Sequence, residues 1–527
     1  MNQLRLISIQ SGRRMEMTKE KWAVIDIGSN TIRLVIYAKI LSGSYKEAEN
    51  IKTVARLNQY LNQDNDLSKE GIALLIDILQ GFKEILAFHQ VTKIHCTATA
   101  TVRQSKNQVE IQALVKEKTG FDMKILSEKE EAFFGYYAVS HSTPIDTGVT
   151  IDMGGGSTEI TYFENRKLIH YHSFPFGVVS LKKQFIKNNP ITEQERKGLS
   201  DFIQDSLKQL PWLKNLQVPV IAIGGSARNI AQIDQTLKKY PIAGIHQYVM
   251  SYSDLQKIQM YLGQLTIEQL EKVEGLSKDR ADIIVPALEV FVGLCEYSQS
   301  FSFMFSKKGL RDGISLKTSE TDDVFLDTDQ IVQNSVAELL IDYGVAPAHA
   351  SHRAKLAEIL FEKTSTYYHC ENKQALSKFV KKGAELYYLG QYIDDDSSSQ
   401  HTFYLLANQS INGLFHKDRL KLAYIASFKN KTLLKQYFTP FSNWFTKKEM
   451  EDIRMAGAVA KLATALDASK RGIVKNIHFE EASNDLMQLT IYCEGNPFVE
   501  QYETEKHIRQ LEKVLQKAIH LKFIQYA

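Results

Sequence analysis

Residues 24–37 read VIDIGSNTIRLVIY and residues 150–163 read TIDMGGGSTEITYF. Asp26 aligns with Asp152, Gly28 with Gly154, Thr31 with Ser157 and Leu34 with Ile160, at a constant offset of 126 residues. Each copy is an apolar β-rich run, an Asp, a Gly-rich turn bearing a hydroxyl, and a second alternating run. That pattern predicts a strand–turn–strand whose tip offers bare backbone N–H groups. Two such tips in a duplicated domain can face each other and hold a phosphate between them. The glycines let amides approach an anion closely, and the Asp at a strand end is a hard oxygen ligand suited to Mg²⁺. Asp26 and Asp152 are therefore candidate metal residues, and Gly28, Ser29, Asn30, Gly154, Gly155, Gly156 and Ser157 candidate phosphate contacts. Glu159 follows seven residues after Asp152, where the first repeat has Arg33. The difference predicts that the second repeat carries metal or water chemistry.

Outward from the repeats, strands and helices alternate. SKEGIALLIDILQGFKEILAFH (68–89) has helical apolar spacing, and VTKIHCTATATVR (91–103) reads as a strand ending in a small-residue turn at Arg103. MKILS (123–127) is a short strand. Ser127-Glu128-Lys129-Glu130 has the form of a capping box opening the next helix. Glu130 fills the box, while Glu131 points about 100° around the helix. Glu131 serves either the helix dipole or, as a general base, the phosphate site. VPVIAIGGSARNIAQI (218–233) reads as strand, Gly-Gly turn and helix with Ser226 near its N-cap. This makes Gly224, Gly225 and Ser226 a candidate anion or nucleotide-edge site. SKDRADIIVPALEVFVGLCEY (277–297) reads as one long helix, and Asp312 in GLRDG as a turn residue or cap.

The chain has 527 residues, 44% hydrophobic and 24% charged, with a formal net charge of +3. That predicts several soluble domains and no global field for nucleic acid. Four scattered cysteines, without a C-x-x-C pair, suggest free thiols in a reducing cytoplasm rather than zinc or disulfides. No apolar run approaches the ~20 residues of a membrane helix. Residues 1–20 read as an extension and not a signal peptide, with Met15 and Met17 as alternative starts. Domains are expected at 21–135, 136–316, 330–475 and 476–527, with 317–329 as a linker. The third is expected to be helical. The last is a small α+β tail of two strands and the closing helix TEKHIRQLEKVLQKAIHLKF. Residues 371–475 hold 17 Lys and Arg against 10 Asp and Glu. They form either a solvated surface or, through Lys381, Lys382, Lys417, Lys421, Lys429, Lys431, Lys435 and Lys470, a groove for a long polyanion.

The two repeats, followed in order by TATATVRQSKN, LSEKEEAFFGYYAV, AIGGSARNIA and GLRDG, resemble the exopolyphosphatase and guanosine pentaphosphate phosphohydrolase (Ppx/GppA) family over about residues 20–316. KLATALDASKRG extends the resemblance to the family's long form. The resemblance implies an α/β fold of duplicated ribonuclease-H-like domains, as in the actin, Hsp70 and sugar kinase superfamily. A helical HD-like domain and a small terminal domain follow. It implies Mg²⁺-dependent release of terminal phosphate from inorganic polyphosphate or guanosine pentaphosphate (pppGpp), with K⁺ as a candidate monovalent ion, and a homodimer. In the family pattern Glu131 is the base, Asp152 and Glu159 belong to the second phosphate loop, and Arg103 to the phosphate-binding run. Glu128 stands where the family usually has Gly. The adjacent His-Asp of an HD metal site is missing from KKGAELYYLGQYIDDD, so that domain reads as a metal-free binding surface. Exopolyphosphatase is the leading expectation. The rivals are the pppGpp hydrolase, a kinase of the same superfamily, and a non-catalytic polyphosphate- or alarmone-binding (pppGpp/ppGpp) regulator.

Overall fold

The first duplicated run folds into β1 (Lys21–Ile27) and β2 (Thr31–Lys39), paired antiparallel with Asp26 opposite Arg33. The computed structural model describes residues 20–39, 45–319 and 326–526. Met15, Met17 and most of the expected extension lie outside these, as does the middle of the expected linker. β3 (Tyr45–Val54), β4 (Lys93–Ala98) and β5 (Met123–Ile125) complete a five-stranded sheet in the order β3-β2-β1-β4-β5. Most of β1 and the Cys96–Ala98 half of β4 are buried because helices cover the sheet, including Lys69–Phe88 with its Ser68 cap.

The second run repeats the plan. It comprises β6 (Gly148–Met153), β7 (Thr158–Glu164), β8 (Lys167–Phe174), β9 (Val220–Ile223), β10 (Tyr248–Ser251) and β11 (Ser302–Ser306). They form a six-stranded sheet in the order β10-β11-β9-β6-β7-β8. In both sheets three antiparallel strands are followed by a parallel neighbour of the first, β4 beside β1 and β9 beside β6. Only β10 has no counterpart in the first sheet. Each half has its own apolar core.

Two helices join the halves. Glu128–Ser140 begins with the expected capping box: Ser127 Oγ accepts from Glu130 N, and Glu130 accepts from Ser127 N. Leu310–Ser319 packs against it so closely that a Cβ on Gly313 would strike the Phe134 backbone. Ile314 and Phe134 join Trp22, Val24 and Tyr37 in one cluster. A boundary at 135/136 thus falls inside the Glu128–Ser140 helix. The expected linker at 317–329 begins in the Leu310–Ser319 helix and ends in the Thr328–Asp342 helix.

Residues 328–465 are helical, and β12 (Val474–Ser483), β13 (Leu486–Glu494) and β14 (Ala518–Tyr526) form a three-stranded sheet. Helices and sheet share one hydrophobic core, so the expected division at 475/476 runs through β12 and not between cores. The closing helix is corrected. It breaks into Phe498–His507 and Arg509–Leu515, Gln516 turns left-handed at φ 56°, and the remainder pairs parallel to β13 as β14. The alternation Ile519, Leu521, Phe523 favours that strand once β13 offers an edge. The unit contacts the second half through His416: its Nδ1 pairs with Tyr240 Oη and its Nε2 with the His246 carbonyl, each at 2.9 Å. It reaches the first half through Lys46–Asp342 at 2.6 Å. Among the described residues no helix is long and apolar enough to cross a membrane.

Candidate active site

Both glycine-rich turns close in the same way. Gly28 N donates to Thr31 O at 3.0 Å, and Gly154 N donates to Ser157 O at 3.0 Å. The tips meet: a Cβ on Gly155 would lie 3.3 Å from Ser29 Cβ, and one on Gly156 would lie 3.1 Å from Ser29 Oγ. Between them is a cavity of about 480 Å³ lined by Asp26, Gly28, Ser29, Asn30, Asp152, Gly154, Gly155, Ser157 and Glu159. Gly224 and Gly225 line it as well, at the start of the Gly224–Leu237 helix. Gly224 has φ +92°, and a Cβ there would lie 3.2 Å from Asp152 Oδ1, so the turn after β9 admits glycine and little else. Ile223, not Ser226, occupies the N-cap. Ser226 is buried behind the lining and accepts from Arg280 Nη1 at 3.3 Å. The helix expected at 277–297 starts only at Ile284, leaving Arg280 in a short 3-10 turn that faces the cavity.

Glu131 lines the cavity too, and the structure separates it from its neighbour. Glu130 caps the helix and pairs with Lys124, whose hydrogen bond with that of Ser127 N holds it down at about 2. Glu131 is pushed above the usual carboxylate range by burial, reinforced by Asp152 and Asp26 and opposed by Arg103. Arg103 does not line the cavity. Its Nη1 donates to Glu131 Oε2 at 2.7 Å and to Leu126 O at 2.9 Å, placing it behind the carboxylate. Asp152 and Glu159 sit opposite one another on β6 and β7. Burial raises both, Asp152 to about 6, with Asp26 adding to Asp152 and Glu131 to Glu159. Ser173 Oγ donates to Glu159 Oε1 at 2.9 Å. Asp26 is instead paired with Arg311 at 2.8 Å. Asp312 receives Gly309 N and Lys308 Nζ and so closes the start of its own helix.

Residue reading missed most of the positive charge. Lys52, Arg228, Arg280, Lys307 and Arg311 line the cavity with Arg33. Desolvation and the nearby Arg311 and Arg228 pull Arg33 down to about 10. Crowded guanidinium groups of this kind are relieved by a bound polyanion. The available signal was an arginine shortly after a glycine turn near the start of a helix, as in GGSAR and GLR.

The donor set fits a hard divalent cation. Glu159 is buried, Asp152 and Glu131 are half-buried, and all three carboxylates have raised proton affinity, which is what an unneutralised acidic site shows. Among the described residues no three His, Cys, Asp or Glu side chains form a cage. Mg²⁺ needs none, because it binds through one or two carboxylates, waters and substrate phosphates.

The Ppx/GppA phosphatase family model matches residues 38–321, and the Ppx/GppA phosphatase domain III model matches residues 331–514. A guanosine-5'-triphosphate,3'-diphosphate pyrophosphatase of Vibrio atlanticus is 25% identical over 402 residues, covering 74% of this chain and 77% of that protein. The crystal structure of an Aquifex aeolicus Ppx/GppA family member aligns with TM-score 0.51 and 25% identity, over 56% of this chain and 97% of the other. An exopolyphosphatase from Cytophaga hutchinsonii shares the fold at TM-score 0.53 and 21% identity, over 57% of this chain and 98% of the other.

Proposed function

Because the chain belongs to the Ppx/GppA phosphatase family and is a phosphoanhydride hydrolase, we propose that it is an exopolyphosphatase releasing orthophosphate from the end of inorganic polyphosphate. The observation that carries this reading is the cavity between two matched glycine turns, with the raised carboxylate of Glu131 at the cap-bearing helix beside a crowd of arginines. The backbone amides of the two turns bind the terminal phosphoryl oxygens. Arg33, Arg228 and Arg311 neutralise the chain behind them. Glu131 orients water and takes its proton at an Oε as the water oxygen bonds to the terminal phosphorus. The bond from phosphorus to the bridging oxygen breaks, and the shortened chain leaves with that electron pair. Arg103 fixes the direction of the Glu131 carboxylate. Asp152 and Glu159, with Asp26 nearby, would hold Mg²⁺, which supplies charge stabilisation on the phosphoryl oxygens. Positioning and fixed dipoles supply most of the rate.

In the C-terminal unit part of the expected polyanion groove is self-neutralised. Lys381 pairs with Glu358, Lys417 with Glu449 and Lys421 with Asp418. Lys382, Lys429, Lys431, Lys435 and Lys470 are the residues this reading assigns to the chain beyond the cleft. The second reading, hydrolysis of guanosine pentaphosphate, is supported by the name of the Vibrio atlanticus relative. Phosphate release from long-chain polyphosphate and from guanosine pentaphosphate, each with and without Mg²⁺, separates the two. A higher kcat/KM for the polymer is expected, and a higher value for the nucleotide replaces this reading with the second.

A further inference from the structure

One ion pair at the cleft has no part in the chemistry above. Lys52 Nζ lies 2.9 Å from Asp279 Oδ2. Lys52 belongs to β3 of the first half, and Asp279 to the 3-10 turn Lys278–Arg280 of the second. Both line the cavity between the glycine turns. Their side chains keep 34% and 29% exposure, so the pair bridges the two halves where the cavity meets solvent.

The sheet register gives Lys52 a direction. Asp26 on β1 stands opposite Arg33 on β2, and Arg33 opposite Lys52 on β3. Residues directly opposite across strands share a face, and all three line the cavity. The matching row of the second half is Asp152, Glu159 and Ser173. One row is therefore acidic and suited to a metal, while the other turns cationic outward. Strands stand ~4.8 Å apart, so Lys52 is ~5 Å beyond Arg33 and ~10 Å beyond Asp26. A phosphate chain whose end lies between the glycine turns meets Arg33 first and Lys52 next.

Asp279 has no other task among the carboxylates lining the cavity. Asp26 pairs with Arg311 and Glu131 with Arg103, and Asp152 and Glu159 are the proposed metal donors. Despite burial, the hydrogen bond from Lys52 holds Asp279 below the usual carboxylate range. It meets the ammonium as an anion, as a phosphate oxygen would. An ion pair this exposed is weak, and a chain bearing several charges can displace the carboxylate.

We propose that Lys52 grips a phosphate behind the terminal one, and that Asp279 is its internal competitor, occupying the ammonium until the chain enters. This extends, by one strand, the phosphoryl site proposed above, on which it rests. Polyphosphate and guanosine pentaphosphate both carry such a phosphate.

The test is steady-state kinetics of the full chain with Mg²⁺, on long-chain polyphosphate and on guanosine pentaphosphate, with orthophosphate as product inhibitor. Lys52→Met should raise KM about ten-fold, the weight of one charge-assisted hydrogen bond, with kcat little changed. Lys52→Arg should keep most of the affinity. Asp279→Asn should lower KM about three-fold, the range of an exposed pair, and should gain less in a Lys52→Met background. Inhibition by orthophosphate, which fills only the terminal position, should be the same in Lys52→Met as in wild type. The proposal is overturned if Lys52→Met leaves KM unchanged, or if Asp279→Asn leaves it unchanged or raises it. It is also overturned if the Asp279→Asn gain is equal without Lys52, or if Lys52→Met weakens orthophosphate and substrate alike. If only guanosine pentaphosphate is turned over, the polymer reading fails, and the same KM pattern on the nucleotide still supports the proposal.

Discussion

Arg103 Nη1 donates to Glu131 Oε2 at 2.7 Å while also holding Leu126 O at 2.9 Å. The arginine is therefore anchored to the first sheet and presents the carboxylate to the cavity. A positioning residue and a phosphate ligand fail differently when removed. Arg103→Ala should lower kcat with little change in KM for short polyphosphate. Glu131→Gln should cost ~10²–10⁴ in kcat, the range for a lost general base, with substrate binding retained. Steady-state kinetics decide, and a KM-dominated defect in Arg103→Ala would return that residue to the phosphate.

Asp152→Ala and Glu159→Ala should raise the Mg²⁺ concentration needed for half-maximal activity, or abolish activity. Hard oxygen donors opposite one another on β6 and β7 motivate this. Unchanged Mg²⁺ titrations in both variants would put the metal elsewhere.

Asp152 also predicts a pH-dependent stability. Its folded pKa, about 6, lies above the ordinary carboxylate value because of burial and Asp26. The folded state therefore holds the proton more tightly than the unfolded chain. Stability from this group is complete below the unfolded pKa and is lost as pH rises through about 6. Without divalent ions, Asp152→Asn should raise Tm relative to wild type at pH 8 and much less at pH 4. Added Mg²⁺ should narrow the gap for the wild type at pH 8. Parallel melting temperatures across that range would count against the assignment.

Gly177→Ala tests the second turn. A Cβ at Gly177 would strike Gly154 O and Gly155 O, and backbone cannot yield as a side-chain tip can. Overpacking of this kind costs ~1–3 kcal/mol. Activity should fall further than that stability loss explains, because the displaced amides are those expected to bind phosphate. Circular dichroism beside kcat/KM measures both. A variant with full activity would release the second turn from phosphate binding.

A chain ending at Ser319, where the last helix of the second half stops, should fold. The Aquifex aeolicus protein is almost wholly covered by 56% of this chain. The truncated protein should lose affinity for long polyphosphate more than for short, and its KM should depend less on salt. Many weak, screened contacts act together only on a long polyanion. Unchanged, processive degradation of long chains would make the C-terminal lysines a solvated surface only.

The sequence by itself determined the duplication. Strand alternation, paired glycine turns and the aspartates at fixed offset are local patterns, and local patterns survive in one dimension. The capping box likewise marked Glu130 as structural, since cap chemistry depends only on neighbours three residues apart. Tertiary structure decided what local pattern cannot encode. Whether Glu131 faces the cavity depends on the packing of its helix against Leu310–Ser319, 180 residues downstream. Arg228 and Arg311 each follow a glycine turn, but they and Arg280 converge with Arg33 only because two sheets close on one another. The final strand depended on β13 offering an edge, which overrode a helical pattern. Local patterns thus fixed the turns and caps, while burial and charge, which are sums over residues distant in sequence, were fixed by the fold.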